Sequence, residues 1–113
     1  CAATTSLPLT FIELVTTTYG EEVYLTGSIA ALGNWATTAG TGGRVALSAA
    51  NYSAAYPAWS ATVSVPLGTS FEYKFFKVGS DGSTITWESD PNRSYAVTAT
   101  ACAGATATVV DSW

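Results

Sequence analysis

Histidine is absent from this 113-residue chain, and charged side chains are scarce. Without histidine the chain cannot form a Ser-His-Asp or Cys-His catalytic arrangement, nor a zinc site with imidazole ligands. Four Lys and Arg residues stand against eight Asp and Glu residues, which gives a formal net charge of −4. So few cations cannot build the basic patch that nucleic acids and anionic membrane surfaces require. The composition therefore argues against both of these partners.

Long hydrophobic runs are also missing, although hydrophobic residues make up 48% of the chain. No run approaches the roughly 20 apolar residues of a membrane-spanning helix. No 3.6-residue periodicity is long enough to predict a helix. There is no signal peptide, and we interpret the start at Cys1 as that of an excised or mature piece. A chain of this length supports one hydrophobic core, so we expect residues 1–113 to form a single domain.

Only two cysteines are present, Cys1 and Cys102, near opposite ends of the chain. Two cysteines alone cannot form a structural zinc site. They are either two reactive thiols or one disulfide that ties the ends together, and we favour the disulfide. In the chain-entropy model such a bond contributes at most about 4–5 kcal/mol. The disulfide also predicts an oxidising compartment, and hence a secreted, extracellular protein.

Short segments with strand character recur along the chain, separated by turn residues. In Ser70–Val78, for example, aromatic residues alternate with Glu72 and Lys74, which places these two charged side chains on the outer face. The predicted strands are Leu9–Val15, Glu22–Ile29, Trp59–Val65, Ser70–Val78, Thr84–Glu88, Tyr95–Thr98 and Thr106–Val110, with a weaker one at Arg44–Leu47. Seven or eight short strands without a helix predict an all-β, antiparallel sandwich or barrel.

Four tryptophans and six tyrosines are more than the core of so small a domain needs. Trp59 is in phase with the apolar residues of its strand, so we expect it in the core, as we do the aromatic residues of Ser70–Val78. Four other aromatic residues lie in loops or at a strand end, where both sugar binding and packing over the sandwich end are open: Trp35, Trp87, Tyr19 and Tyr52. An exposed ring covers the C–H face of a pyranose, and amides with a lone lysine bond its hydroxyls. If these rings are exposed for binding rather than packed, sugar recognition is the function that they would serve.

Four stretches of the sequence form a set of motifs: Thr16–Glu21 (TTTYGE), Tyr24–Ile29 with Leu32–Trp35 (YLTGSI and LGNW), Phe71–Phe75 (FEYKF) and Trp87–Arg93 (WESDPNR). Together they resemble the starch-binding domains of fungal glucoamylases, carbohydrate-binding module family 20. They occur in the family's order, at near-family spacing, and together cover essentially the whole chain. The family also places a disulfide at the positions of Cys1 and Cys102. The resemblance implies an immunoglobulin-like, antiparallel β-sandwich of seven to eight strands.

The resemblance further implies a non-catalytic, monomeric module without metal or cofactor. Its expected ligands are starch, amylose, maltooligosaccharides and cyclodextrin. The implied first binding site consists of Trp35, Lys74, Trp87, Glu88 and Asn92. In this site the two indoles form a platform for adjacent glucose units, while Lys74 and Asn92 bond hydroxyls. The implied second site consists of Tyr19 and Tyr52, with backbone support near Thr16–Gly20. A tethered catalytic domain is expected, from a glucoamylase, an amylase or a starch-active oxidative enzyme.

Three places depart from the family's pattern. Gly40–Arg44 is interpreted as a short insertion, and the turn Gly79–Thr84 is one residue longer than expected. The family's charged pair before the second-site tyrosine is replaced by Ala50 and Asn51. The first site therefore matches the family more closely than the second.

Three other functions stay open. A glycosidase needs two carboxyl groups about 5–9.5 Å apart across a cleft, and Glu88 with Asp90, or Glu21 with Glu22, are the candidates. A calcium site at Asp81, Ser83 or Asp90 lacks a dense cluster of oxygen ligands. A protein-interaction sandwich without sugar binding is the remaining alternative.

Two N-glycosylation sequons are present, at Asn51 and Asn92. A glycan on Asn92 would obstruct the implied first site. Because this asparagine lies in a tight turn, we expect its sequon to stay unused.

Overall fold

The computed structural model describes residues 1–37, 44–89 and 91–113, and shows eight β-strands in these ranges. The strands are β1 (Ser6–Leu14), β2 (Glu22–Gly27), β3 (Val45–Ala46), β4 (Ala58–Pro66), β5 (Ser70–Val78), β6 (Ile85–Trp87), β7 (Arg93–Ala96) and β8 (Ala107–Ser112). Besides the strands, the described ranges hold one 3₁₀ turn at Ala30–Leu32. They contain no helix that is long and apolar enough to cross a membrane. The prediction of an all-β fold is confirmed.

Two predicted features fall on residues outside this description. The proposed insertion Gly40–Arg44 lies outside it except for Arg44, and Asp90 lies outside it altogether. The strand predicted at Arg44–Leu47 is two residues long, and the one predicted at Tyr95–Thr98 begins two residues earlier, at Arg93.

The strands form two sheets that face each other. One sheet has the order β4-β1-β8, and the other has the order β3-β2-β5-β6, with β7 also paired to β5. Every pairing is antiparallel except that of β1 with β8, which is parallel. The antiparallel prediction is therefore wrong for this one pair. Two parallel neighbours need a long connection, and here almost the whole chain separates them.

The core lies between the inner faces of the two sheets. Phe71, Tyr73 and Phe75 of β5 point into it, as their alternation predicts, and Trp59 is buried as expected. The ring of Tyr73 meets the ring of Phe11 on β1 edge to face, with centroids 5.2 Å apart. Aromatic pairs in this geometry contribute about 0.5–1.5 kcal/mol beyond their burial. The two sheets are thus joined by interleaved rings.

A disulfide between Cys1 and Cys102 ties the N-terminal segment to the residues that precede β8. This confirms the pairing over the alternative of two free thiols. Backbone hydrogen bonds support the bond on both sides, from Ala103 N to Ala2 O at 2.7 Å and from Thr4 N to Ala101 O at 3.1 Å.

The outer face of the five-stranded sheet carries three cross-strand rows. It consists of the side chains that alternate with the core residues of β5. From the C-terminal end of β5 towards its N-terminal end, the rows are Tyr24–Phe76–Trp87, Thr26–Lys74 and Ser28–Glu72–Ser94. Successive rows lie two residues apart, which is roughly 6.6–6.8 Å along a strand. The outer face therefore changes from aromatic to polar over a short distance.

Candidate functional site

Trp87 presents an exposed indole at the end of β6. Its ring packs on Phe76 at a centroid distance of 4.9 Å, and Phe76 in turn stacks on Tyr24 at 5.6 Å. Phe76 is fully buried, whereas Trp87 is 41% exposed. The aromatic row therefore supports one side of the indole and leaves a large part of it open to a ligand.

Trp35 is the second exposed indole, and it lies in the loop that follows β2. Its backbone N donates to Gly27 O at 2.8 Å, and Asn34 N donates to Ile29 O at 3.1 Å. Both Asn34 and Trp35 have positive φ angles, of 50° and 67°. Side chains other than glycine rarely adopt this backbone conformation, and where they do the site is often functional. The loop is thus held in a costly conformation that leaves Trp35 37% exposed.

Lys74 lies on the outer face of β5, as predicted, but it is only 7% exposed. The predicted face is therefore correct, but neighbouring residues cover most of this side chain. Alternation decides which face a residue occupies, but it does not tell how much of that face its neighbours cover. Opposite Lys74, Thr26 is fully buried and donates its hydroxyl to Leu32 O at 3.2 Å.

Glu88 points inward, which corrects its predicted exposure to a ligand. It is 4% exposed, and its carboxylate accepts a hydrogen bond from Phe75 N at 3.1 Å. Arg93 binds both of its oxygens, with contacts of 2.8–3.1 Å. Side chains alternate along a strand, so the residue after the outward Trp87 faces the interior. Glu88 therefore anchors the connection between β6 and β7.

A partly buried polar network continues from this anchor into the other sheet. Arg93 also reaches Asp111 of β8 at 3.3 Å and donates to Ser112 O at 2.6 Å. Tyr73 donates its hydroxyl to Asp111 at 2.7 Å. Burial and this bond to a carboxylate raise the pKa of Tyr73. The segment after Trp87 is thereby fixed to the body of the sandwich.

Glu13 of β1 adds a second buried carboxyl beside Glu88, which we did not predict. It is fully buried, and neither of its oxygens has a hydrogen-bond partner among the described residues. Burial raises the pKa of Glu13 to about 8, and the nearby charge of Glu88 adds to this rise. The sequence held a signal, because Glu13 continues the inward alternation of Leu9 and Phe11.

Asn92 is exposed immediately before β7, and its side-chain amide donates to Glu72 at 3.2 Å. Because Tyr73 pairs with Arg93, the register places Asn92 next to Lys74. The register thus brings Lys74, Trp87 and Asn92 to neighbouring positions of the outer face, with Glu88 beneath them, while Trp35 follows the end of β2, the strand on the other side of Lys74. Glu72, which the sequence did not suggest as a site residue, lies beside this group.

The two tyrosines of the second predicted site lie on neighbouring loops. Tyr19 is fully exposed. Tyr52 is partly buried, with its ring edge-on to Trp59 at 6.3 Å, and its hydroxyl accepts from Thr17 N at 3.3 Å. Tyr52 therefore contacts the loop that carries Tyr19. Gly20 shapes this loop, because its φ is 90° and a Cβ atom there would lie 2.7 Å from the Cβ of Ser80.

The other candidate side chains serve local structure. Asp81 accepts hydrogen bonds from the backbone of Ser83 and Thr84, both at 2.9 Å, and from the Thr84 hydroxyl. These bonds lower the pKa of Asp81 to about 2. Glu21 accepts from Thr18 N at 2.7 Å. Within the described ranges, no group of three or more Cys, Asp or Glu side chains is placed to hold a metal.

Exposed indole and phenol rings on a two-sheet sandwich, next to amide and hydroxyl groups, define a module suited to sugars. A family model described as the starch binding domain matches residues 6–108. The chain is 54% identical to the AA13 family lytic polysaccharide monooxygenase A of Aspergillus terreus, and spans 27% of that protein. It is 55% identical to the glucoamylase of Neurospora crassa, and spans 17% of that protein. Both identities extend over 100% of this chain.

Solved structures agree with this assignment. The family 15 glucoamylase of Hypocrea jecorina superposes with a TM-score of 0.86 at 46% identity, over 100% of this chain and 18% of that one. The family 20 carbohydrate-binding module of a maltotetraose-forming amylase from Pseudomonas saccharophila superposes with a TM-score of 0.68 at 25% identity. There the match covers 95% of this chain and 100% of the other. The chain therefore belongs to the starch-binding domains, carbohydrate-binding module family 20, a family of non-catalytic modules carried by larger starch-active enzymes.

Proposed function

We propose that this module binds α-1,4-glucan chains of starch at two aromatic sites and brings an appended enzyme to that substrate. The observation that carries the proposal is the placement of two exposed indoles on opposite sides of β5. Trp35 is held at the end of β2, on one side of Lys74, and Trp87 is held on β6, on the other side. Amylose, maltooligosaccharides and cyclodextrin are the ligands that fit this arrangement.

At the first site, the indoles of Trp35 and Trp87 cover the C–H faces of successive glucose units. An α-linked chain curves, so two rings on different strands meet consecutive units, whereas a β-linked chain presents a flat ribbon. Lys74 and Asn92 donate hydrogen bonds to the hydroxyls. Glu88 positions the segment between them and makes no direct contact with the sugar.

At the second site, Tyr19 offers a fully exposed ring, and Tyr52 supports the loop that carries it. Tyr19 precedes β2 and Trp35 follows it, so a strand of six residues, roughly 20 Å long, separates these two rings. Two separate sites on one module raise the effective concentration of each at an insoluble surface. This arrangement supports retention on starch granules.

We further propose that the module belongs to a secreted enzyme and acts as a monomer within it. The appended part is a glucoamylase, an amylase or a starch-active oxidative enzyme. The relatives support this range, because they include a glucoamylase, a lytic polysaccharide monooxygenase and the module of an amylase, and the chain spans less than a third of the first two.

Calorimetry with a maltooligosaccharide tests the number of sites. We expect two binding events in the parent and one in the Tyr52→Ala variant. Tyr56→Ala is the control, because Tyr56 is an exposed tyrosine of the loop that carries Tyr52. Columns of starch and cellulose test the linkage specificity. Equal retention on both columns would contradict the proposal, and a single event in the parent would remove the second site.

A further inference from the structure

A polar groove continues the outer face beyond the proposed first site. It has a volume of 390 Å³ and is lined by Ser28, Ser70, Phe71, Glu72 and Ser94. Apart from Phe71, which is buried, these side chains are exposed. The groove therefore offers hydroxyl and carboxylate groups, which form hydrogen bonds with the hydroxyls of neutral sugars.

Backbone pairing sets the lining groups of the groove in place. Glu72 pairs with Ser94 across β5 and β7. On the other side, Ser28 N donates to Glu72 O at 2.9 Å, and Glu72 N donates to the Ser28 hydroxyl at 3.0 Å. Ser28, Glu72 and Ser94 therefore form one cross-strand row on sheet elements, so the groove is preorganised for a ligand.

The groove is continuous with the first site through Asn92. Its amide donates to Glu72 at 3.2 Å, so the Glu72 carboxylate lies between the Lys74 row and the groove. Along β5, the Glu72 row is four residues from the Phe76 row that supports Trp87, a distance of roughly 13 Å. A ligand that stacks on Trp87 must therefore extend past Lys74 and Asn92 to reach the groove.

We propose that this groove is an additional subsite for a neutral glucosyl unit of the chain that is bound at Trp35 and Trp87. This inference rests on the proposed function of the first site and extends it. The Glu72 carboxylate accepts hydrogen bonds from sugar hydroxyls, and the hydroxyls of Ser28, Ser70 and Ser94 both donate and accept. The groove has no exposed ring, so it adds affinity only to longer chains.

The test measures affinity against chain length. Calorimetry compares maltose with maltoheptaose in the Tyr19→Ala variant. This variant lacks the proposed second site, so the titration measures binding at the first site alone. Glu72→Ala combined with Ser94→Ala should lower the affinity for maltoheptaose about tenfold, as expected for lost hydrogen bonds to a charged group. The affinity for maltose should stay within twofold. Ser64→Ala, an exposed serine of the other sheet, is the matched control and should change neither affinity.

A second measurement reports the contact directly and needs no variant. Maltoheptaose should shift the NMR amide signals of Glu72 and Ser94, and maltose at the same occupancy of Trp87 should not. If the variant lost equal affinity for maltose and maltoheptaose, Glu72 would act only through Asn92, and the groove would not be a subsite. Unchanged affinity for both sugars would contradict the subsite as well. If the background protein bound neither sugar, the proposed function would fail and the subsite with it.

Discussion

Trp35 and Trp87 expose similar fractions of their rings but are held by different means. Trp87 rests on Phe76, whereas Trp35 depends on a backbone with positive φ at two consecutive residues. A glycine at position 34 would adopt this backbone without strain, but it would also give the loop more freedom when unbound. The conformation of the Trp35 loop is therefore the more sensitive of the two to substitution.

The first prediction at the residue scale concerns the indoles. Trp35→Ala and Trp87→Ala should each weaken maltoheptaose binding at the first site by about 2 kcal/mol or more, as truncated aromatic anchors commonly do. The two losses should not add, because both rings hold one ligand. Trp113→Ala is the control in the same calorimetric series, since Trp113 is 38% exposed but lies outside both sites. An equal loss in that control would refute the assignment.

The second prediction concerns the pH dependence of stability, and it follows from Glu13. The pKa of this carboxyl is about 8 in the folded protein, against 4.5 as its ordinary value. The folded state therefore keeps a proton that the unfolded state releases. The contribution of Glu13 to the free energy of unfolding is complete below pH 4.5 and is lost as the pH rises towards 8. The slope is at most about 1.4 kcal/mol per pH unit.

Urea unfolding between pH 4 and pH 9 checks this prediction. The Glu13→Gln variant should lose much less stability over this range than the parent. Glu72→Gln, which removes an exposed carboxyl of the other sheet, should follow the parent. Parallel curves for the parent and Glu13→Gln would show that Glu13 is ionised throughout.

At the scale of elements, the connection from β6 to β7 serves two faces of one sheet. Trp87 and Asn92 point to the outer face, where the proposed ligand lies, while Glu88 and Arg93 point inward and hold the connection to Phe75 and β8. The stretch WESDPNR thus combines contact residues with the residues that fix them. A substitution of Glu88 or Arg93 should therefore change the positions of Trp87 and Asn92.

The third prediction tests this anchor. Arg93→Met leaves Glu88 buried without its cation, and breaking such a pair typically costs about 3–5 kcal/mol. Chemical denaturation should show a loss of this order. Glu88→Leu combined with Arg93→Met should be less unstable than Arg93→Met alone, because the buried Glu88 charge is then removed and Asp111 keeps its hydrogen bond from Tyr73. Lys77→Met, at a partly buried lysine of β5, should have a small effect. If the double variant lost as much as both singles together, the pair would not be coupled.

Alternation predicted the elements and their inward residues well, because it is a local property of each strand. It placed Trp59 and Tyr73 in the core. The same alternation on β1 also indicates that Glu13 faces the core, although a charged residue is not expected there. It could not give the burial of Lys74, which depends on how neighbouring loops cover the sheet. It also could not give the parallel pairing of β1 with β8, since register between distant strands depends on contacts across the whole fold.

At the scale of the whole molecule, the fourth prediction concerns the disulfide. Replacing both Cys1 and Cys102 by alanine should lower the free energy of unfolding by about 2–4 kcal/mol, as is typical for a native bond. Maltoheptaose affinity should stay within twofold, because the rings are held by the sheets and their loops. Differential scanning calorimetry and binding titrations measure the two effects. An unchanged melting temperature together with lost binding would contradict the prediction, because the disulfide would then support binding rather than stability.

The same disulfide determines how the molecule responds to a pulling force. Tension applied between Cys1 and Trp113 passes through the covalent bond to Cys102 and then along β8, so residues 2–101 lie in a closed loop that carries no load. The aromatic residues of both proposed sites are inside this loop. Tension between the two ends of the chain would therefore stretch only the last strand, and the aromatic residues of both proposed sites would lie outside its path.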